Sequence, residues 1–335
     1  MNGNSQNGIL ILIAILVFGY VEPAYQIFTS WLQDKTTTSN EKYWIIVKII
    51  IASCLFYNLN NYAKRRSGIS WEKVSQDDIV LITGGSNGLG SELVVELAKV
   101  NIDQIIILDK VKPKLSIDKV KYIECDLSNE DDTKSVVQNL IHELNSQGKH
   151  ISILINNAGI RHNQSLLNLD DVNIRKIFNV NTFSPILILR TVIKNHIAYN
   201  EDKRLYIVSI SSILGVLAPK NLSIYSASKA AIYSIHESLS EELIEYPEIR
   251  LLLVTPGQLS TEMFQDVAPS MTWLAPIVSP NWLAKKIISK INMGEIGVLS
   301  EPFYANFLPA VRATPFIVQR LCRYFSGMDT KIIDQ

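Results

Sequence analysis

Tyr225 and Lys229 stand four residues apart, the spacing that puts two side chains on one face of a helix. A free phenol ionises at about pH 10, too high for a base at neutrality. An ammonium beside it favours the phenolate, which can take the proton of a substrate hydroxyl while hydride leaves the same carbon. Ser212 lies thirteen residues before Tyr225 and can hydrogen-bond the substrate oxygen, stabilising the charge that develops there. Each residue also has an ordinary reading: a tyrosine and a lysine on a solvated helix face, and Ser211-Ser212 closing a strand. The surrounding sequence decides between these readings.

Residues 79–82 (IVLI) run directly into Thr83-Gly84-Gly85-Ser86-Asn87-Gly88-Leu89-Gly90. Glycines at 84, 88 and 90 permit a tight strand-to-helix turn and close approach of the backbone to a pyrophosphate. The helix beginning near Gly88 would aim its free N–H groups at that anion. Glycine is common in any such turn, and its place between a strand and a helix is what gives this run weight. Ser86, Asn87 and Leu89 complete the loop, and neither Ser86 nor Asn87 is basic. Nineteen residues beyond Gly90 a second apolar run ends at Asp109. A carboxylate there can accept hydrogen bonds from both adenosine ribose hydroxyls and would repel a 2′-phosphate. NAD is therefore expected as cofactor, while Lys110, able to swing toward a phosphate, keeps NADP as an alternative. Asp109 could also be a solvated loop acid; its position after a second strand favours the functional role.

In this order the motifs resemble the short-chain dehydrogenase/reductase family. TGGSNGLG, Asn156-Asn157-Ala158-Gly159, Ser212 and the Tyr225–Lys229 pair match the family's motifs, and the likeness runs over residues 77–300. The resemblance implies a catalytic tetrad of Asn181, Ser212, Tyr225 and Lys229. Asn181 would anchor a water that relays the proton beyond Lys229, and Lys229 would also hold the ribose hydroxyls. It implies that Pro256 and Thr261 bind the nicotinamide end, that Asp126 contacts adenine, and that Asn156 serves mainly to tie the sheet together. Asp126 could equally be the N-cap of the next helix, and Asn181 could cap or kink its own. Family members often dimerise or tetramerise through the helices bearing Asn181 and Tyr225. Ser226, Ala227, Ser228, Ala230 and Ala231 are small enough for close packing there, or against the sheet.

The elements that must position these groups show as alternation. Short apolar runs at 79–83, 104–109, 119–125, 151–156, 205–210, 250–255 and 297–300 read as strands. Amphipathic stretches at 89–100, 130–145, 171–196, 223–245 and 280–293 read as helices. Such alternation predicts a parallel sheet covered on both faces, a Rossmann-type doubly wound α/β domain over 67–300. With 335 residues, 47% hydrophobic and 19% charged, the chain can build a sizeable core and is not disordered. Lys+Arg and Asp+Glu are 32 each, which argues against nucleic-acid binding through bulk positive charge. Three distant cysteines and five histidines without metal-ligand spacing argue against a disulfide framework and a metal enzyme.

The neutral total conceals two parts. Residues 1–66 hold six Lys/Arg and three Asp/Glu, a net of +3, so residues 67–335 carry −3. Residues 9–21 are an uncharged apolar run, and 43–59 form a second, interrupted by Lys48. A spanning helix needs about 20 apolar residues. The second run suffices if Lys48 snorkels, and the first only if it continues past Glu22-Pro23. A cleaved signal peptide fits poorly, because residues 1–8 contain no Lys or Arg. Residues 1–66 are expected to anchor the chain to a membrane, as one span, two spans or a hairpin. Lys64-Arg65-Arg66 would keep the catalytic domain on the cytosolic side, at the endoplasmic reticulum or a lipid droplet. A glycan on Asn163 or Asn221 would overturn that orientation.

Residues 258–279 include Met263, Phe264, Val267, Met271, Trp273, Leu274, Ile277 and Val278, and are expected to line a pocket for an apolar molecule. Residues 301–335, aromatic and with Arg312, Arg320 and Arg323, form an amphipathic extension that could rest on a membrane, wrap the core or meet a partner subunit. This layout resembles the membrane- or lipid-droplet-associated retinol and hydroxysteroid dehydrogenase-like members, which implies a retinoid, steroid or long-chain lipid alcohol as substrate. Two other functions compete. Asp109 argues against an NADPH-dependent lipid ketone reductase. The presence of both Tyr225 and Lys229 argues against a non-catalytic dinucleotide-binding membrane scaffold.

Overall fold

A computed structural model describes residues 71–330 apart from 101, 115, 200–202, 266 and 268–274, together with 51, 55, 58–60 and 64. The strands are β1 (Ile79–Thr83), β2 (Gln104–Asp109), β3 (Val120–Glu124), β4 (Ile153–Asn156), β5 (Leu205–Ile210), β6 (Ile249–Pro256) and β7 (Gly297–Glu301). They form one parallel sheet in the order β3-β2-β1-β4-β5-β6-β7. The helices are α1 (Gly88–Ala98), α2 (Glu130–Ser146), α3 (Asp171–Phe178), α4 (Ser184–Tyr199), α5 (Ser223–Glu242), α6 (Pro280–Met293), α7 (Leu308–Ala313) and α8 (Phe316–Ser326).

Alternation along the strands builds two cores. Val80, Ile82, Ile105 and Ile107 face one side, buried with Leu93 and Leu97 of α1 and Leu283 and Ile287 of α6. Ile79, Leu81, Ile106 and Leu154 face the other, with Val137 and Leu140 of α2 and Ile188 and Val192 of α4. Every residue of β1, β4, β5 and β6 is buried, as a sheet covered on both faces requires. The chain builds outward from β1 to β3, then returns to place β4 on the other flank of β1. At that reversal the connections diverge, and a crevice opens beyond the carboxyl ends of the strands.

The stretch expected as one helix over 171–196 is two helices joined by a π-turn, Asn179–Phe183, in which the N–H of Ser184 donates to the carbonyl of Asn179. Pro185 supplies the cause: it has no N–H with which to meet the carbonyl of Asn181 four residues earlier, and its ring crowds that carbonyl. The helix expected to reach residue 245 ends at Glu242, and β4 begins at Ile153 rather than at 151.

The chain divides into compact units Met1–Tyr62 and Ala63–Gln335, so the extension after residue 300 belongs to the same unit as the sheet. Among the described residues no helix is long and apolar enough to cross a membrane. The apolar run at 9–21 and most of that at 43–59 lie outside the described residues, as do Met271, Trp273 and Leu274.

Candidate active site

The carboxyl ends of the strands open onto a cleft of about 680 Å³. Its walls run from Asp109 and Asp126, past Gly84, Asn87, Gly88 and Leu89, to Ser212, Tyr225, Lys229, Pro256 and Thr261. The turn has no room for a side chain at Gly84 or Gly90. Gly84 has φ +66°, and a Cβ there would stand 2.8 Å from Cα of Ala158. A Cβ on Gly90 would overlap the carbonyl oxygen of Gly84 and come within 2.6 Å of Asn157 Nδ2. Gly90 is therefore a packing residue that seats α1 on the turn; it does not line the cleft. Asn87 occupies the N-cap of α1 in extended conformation, and its side chain makes no capping bond. The positive end of α1 is thus left to an anion, which suits the pyrophosphate of a dinucleotide.

Ser86 departs from expectation. It is buried, its hydroxyl donates to the carbonyl of Val111, and its N–H donates to Asp109 Oδ2 at 3.1 Å. Its bonds brace the end of β2, and it does not line the cleft. Asp109 also accepts the N–H of Val111 on Oδ1 at 3.1 Å, so each oxygen retains a lone pair. Lys110 pairs with Asp126 at 2.8 Å, and this bond, helped by the Ser128 hydroxyl, holds the Asp126 carboxyl down at about 2. Asp126 does not cap α2. The cap is Asn129, whose side chain accepts from the N–H groups of Asp131 and Asp132.

Asn156 does not tie the sheet. Its amide is buried with neither Oδ1 nor Nδ2 hydrogen-bonded. The tie is made by Asn157, whose Nδ2 donates to the carbonyls of Thr83 at 3.1 Å and Gly84 at 2.9 Å. Successive side chains at a strand end point opposite ways, so only the second asparagine meets the glycine turn.

At the far end Tyr225 and Lys229 are buried on α5. Ser212 accepts the N–H of Leu214 on its Oγ, and its hydroxyl stands near enough to the Tyr225 phenol to favour the ionised form. Burial pushes that phenol up to about 12, while the Ser212 hydroxyl and the Arg161 guanidinium pull it down. Lys229 Nζ donates to the carbonyl of Ile210 at 2.9 Å, and burial lowers the amine to about 8. The Arg161 guanidinium thus adds a cation that favours the phenolate, one that the four-residue spacing of Tyr225 and Lys229 did not signal.

Asn181 stands behind the cleft rather than in its wall. Its Oδ1 accepts the N–H of Ile160 at 2.8 Å, and its Nδ2 donates to the Ile160 carbonyl and to Ser228 Oγ, both at 2.9 Å. Its amide thus clamps the loop after β4 to α5. A Cβ on Gly159 would lie 3.2 Å from Lys229 Nζ and 3.5 Å from Asn181 Oδ1, which shows how closely the three residues converge.

Two further side chains complete the site. Arg161 Nε donates to the carbonyl of Met263, and its guanidinium lies 5.1 Å from the centre of the Phe264 ring. That ring meets Tyr225 edge-on, with centroids 6.2 Å apart. The short turn Glu262–Phe264 is thereby held over the phenol. The sequence signal for Arg161 is a base two residues after Gly159, in a stretch otherwise without charge.

A cleft that can seat a dinucleotide across the sheet reversal and ends at a buried phenol, hydroxyl and amine is that of an NAD(P)-dependent oxidoreductase. Comparison with known proteins narrows the class: the short chain dehydrogenase model matches residues 78–272, and the chain belongs to that family. It is 36% identical over 286 residues to the uncharacterized oxidoreductase TDA5 of Saccharomyces cerevisiae, covering 84% of this chain and 86% of that protein. Epidermal retinol dehydrogenase 2 of Mus musculus is 28% identical over 72% of this chain and 77% of its own length. A short chain dehydrogenase from Burkholderia cenocepacia, solved in complex with NADP, shares the fold with a TM-score of 0.61 at 21% identity, covering 75% of this chain and 98% of that one.

Proposed function

We propose that the protein uses NAD to interconvert a lipophilic alcohol and its carbonyl compound. Ser212, Tyr225 and Lys229 would carry the chemistry, with Asn181 behind them. The observation that carries the reading is the convergence of a buried hydroxyl, phenol and amine at the end of a cleft whose other end presents Asp109. Bound NAD supplies the hydride acceptor. Tyr225 Oη takes the proton of the alcohol, and Ser212 donates its O–H to the substrate oxygen. Lys229, with a pKa of about 8, can hand on a proton near neutrality. A relay water would rest on the remaining lone pair of Asn181 Oδ1 or on its backbone carbonyl, which Pro185 has no N–H to meet. NAD is favoured over NADP because Asp109 presents a carboxylate and Lys110 is held by Asp126.

A lipophilic substrate is supported by the apolar groups around the phenol. Leu214, Leu222, Phe264 and Val267 pack together with Tyr225 there. The name of the mouse relative points the same way. The setting would be a membrane or lipid-droplet surface on the cytosolic side, with residues 1–66 as anchor. The extension supports this: Phe316 and Tyr324 of α8 are each 77% exposed, and Ile317, Leu321 and Phe325 are exposed beside them. Residues 308–326 carry Arg312, Arg320 and Arg323 and no acid. Arg323 donates to the carbonyl of Ala218 at 3.0 Å, on the segment leading into α5, which sets α8 beside the catalytic end. A homo-oligomer would pack through Ala227, Ala230 and Ala231, since Ser226 and Ser228 are buried within the subunit.

The test is to incubate the full chain with NAD and a panel of retinol, sterols and long-chain alcohols, following nicotinamide reduction. Turnover of one class is expected. NAD binding without turnover of any of them would favour the scaffold reading instead.

A further inference from the structure

Helix α5 begins without help from its own sequence. Leu222 occupies the N-cap and makes no side-chain bond to the first turn, and the Ser223 hydroxyl has no hydrogen-bond partner. Leucine is among the poorest N-cap residues, and unmet N–H groups at a buried helix start are costly. The bonds arrive from another segment. His162, on the loop after β4, is 8% exposed, and its Nε2 lies 3.2 Å from the backbone nitrogen of Ile224 and 3.4 Å from that of Tyr225. Counted from Leu222, these are the second and third helical residues, whose N–H groups a capping side chain ordinarily takes. A backbone N–H can only donate, so Nε2 must offer a lone pair. The ring proton then sits on Nδ1, 3.1 Å from the carbonyl of Gln164. The imidazole is neutral and held in one tautomer.

We propose that His162 is a positioning residue: its neutral imidazole caps the helix that carries Tyr225 and Lys229, and so fixes where the phenol stands relative to Ser212. The inference rests on the role given to Tyr225 above. It is strengthened by a second brace on the same loop, because Ile160 is bonded through both backbone groups to Asn181, which in turn holds Ser228 of α5. Loop and helix are thus joined at two heights, with Tyr225 between them. Protonation of His162 would turn its acceptor into a donor facing two N–H groups, and would set a cation at the positive end of the helix dipole. The charged and titratable groups on the segments His162 touches are Arg161 on its own loop and Tyr225 on the first turn of α5. Burial and the Arg161 guanidinium both hold the imidazole below its ordinary range, so it stays in the capping form at neutral pH.

The experiment combines amide hydrogen exchange with steady-state kinetics on the full chain. In His162→Ala, exchange at Ile224 and Tyr225 should quicken roughly five- to tenfold, the effect of losing one cap, while NADH binding is retained. kcat should fall with little change in KM, because the phenol is displaced and the substrate's apolar contacts are not. His162→Gln offers a carbonyl to the same N–H groups but cannot ionise. It should recover most of kcat and abolish the acid-side loss of activity that protonation of His162 is expected to cause in the wild type. Unaltered exchange and kcat in His162→Ala, or an unchanged acid limb in His162→Gln, would overturn the proposal. Exchange needs no substrate. A chain that oxidises no alcohol would therefore overturn the catalytic reading, while the cap would still be judged by the exchange rates.

Discussion

Replacing Asp109 should change which dinucleotide the protein prefers. Its carboxylate ends β2 and lines the cleft, with Oδ2 held by the Ser86 N–H and Oδ1 by the Val111 N–H, each at 3.1 Å. One lone pair on each oxygen is left for the ribose hydroxyls, and a hydrogen bond to a charged group contributes about 1.5–3 kcal/mol. A 2′-phosphate meeting that charge at ~5 Å would be destabilised by about 3 kcal/mol per unit of its own charge, at an effective dielectric of ~20. Asp109→Asn removes the charge but keeps one carbonyl acceptor. The preference should therefore swing by about 3 kcal/mol or more, roughly 10²-fold or more in the ratio of kcat/KM for NAD over NADP. Lys110 adds a second stage, since Asp126 holds it at 2.8 Å. Releasing it in an Asp109→Asn, Asp126→Asn double variant should tighten NADP binding beyond either single change. Initial rates with each dinucleotide at fixed alcohol measure the ratio, and nicotinamide fluorescence gives NADH and NADPH affinities independently of turnover. A wild type that prefers NADP, or a ratio unmoved by Asp109→Asn, would refute the assignment of this carboxylate to the ribose.

Four further outcomes are expected. Tyr225→Phe should abolish turnover while NADH still binds, read by rate and fluorescence; undiminished activity would sink the mechanism. Arg161→Gln removes a cation that lowers the Tyr225 phenol, so the rise of kcat for alcohol oxidation should move to higher pH, and KM should rise as the hold on Met263 and Phe264 loosens. His150, His196 and His236 are each lowered by burial from 6.5 to about 4. Their folded pKa values lie below the unfolded one, so the unfolded chain takes up protons first. Stability should be full above pH 6.5 and decline as the pH falls toward 4, seen as a falling urea midpoint; a flat profile would contradict it. Replacing Phe316 and Leu321 of α8 by serine should weaken sedimentation with anionic vesicles but leave NADH binding unchanged, and undiminished sedimentation would remove α8 from the membrane contact.

The sequence by itself determined what depends on spacing within one element. Strands β1, β2 and β5 lie where their apolar runs place them, because a run buried on both faces leaves little choice of boundary. Tyr225 and Lys229 share a helix because four residues make about one turn. Gly84 marks the turn because only a residue without Cβ fits beside Ala158. Even the π-turn had a signal in Pro185, four residues after Asn181, although a helical pattern by itself hid it.

The tertiary structure decided which side chains from separate segments meet. It chose Asn157 over its neighbour Asn156 to tie the glycine turn, gave Lys110 to Asp126, and brought Arg161 within reach of the Tyr225 phenol. It brought His162 to a helix start more than sixty residues further along the chain. The reason is geometric. Periodicity constrains residues a few positions apart, whereas contacts between loops depend on how the sheet reversal gathers strand ends and on which way long side chains turn once there. That direction is set by the packing around them, and packing exists only once the chain has folded.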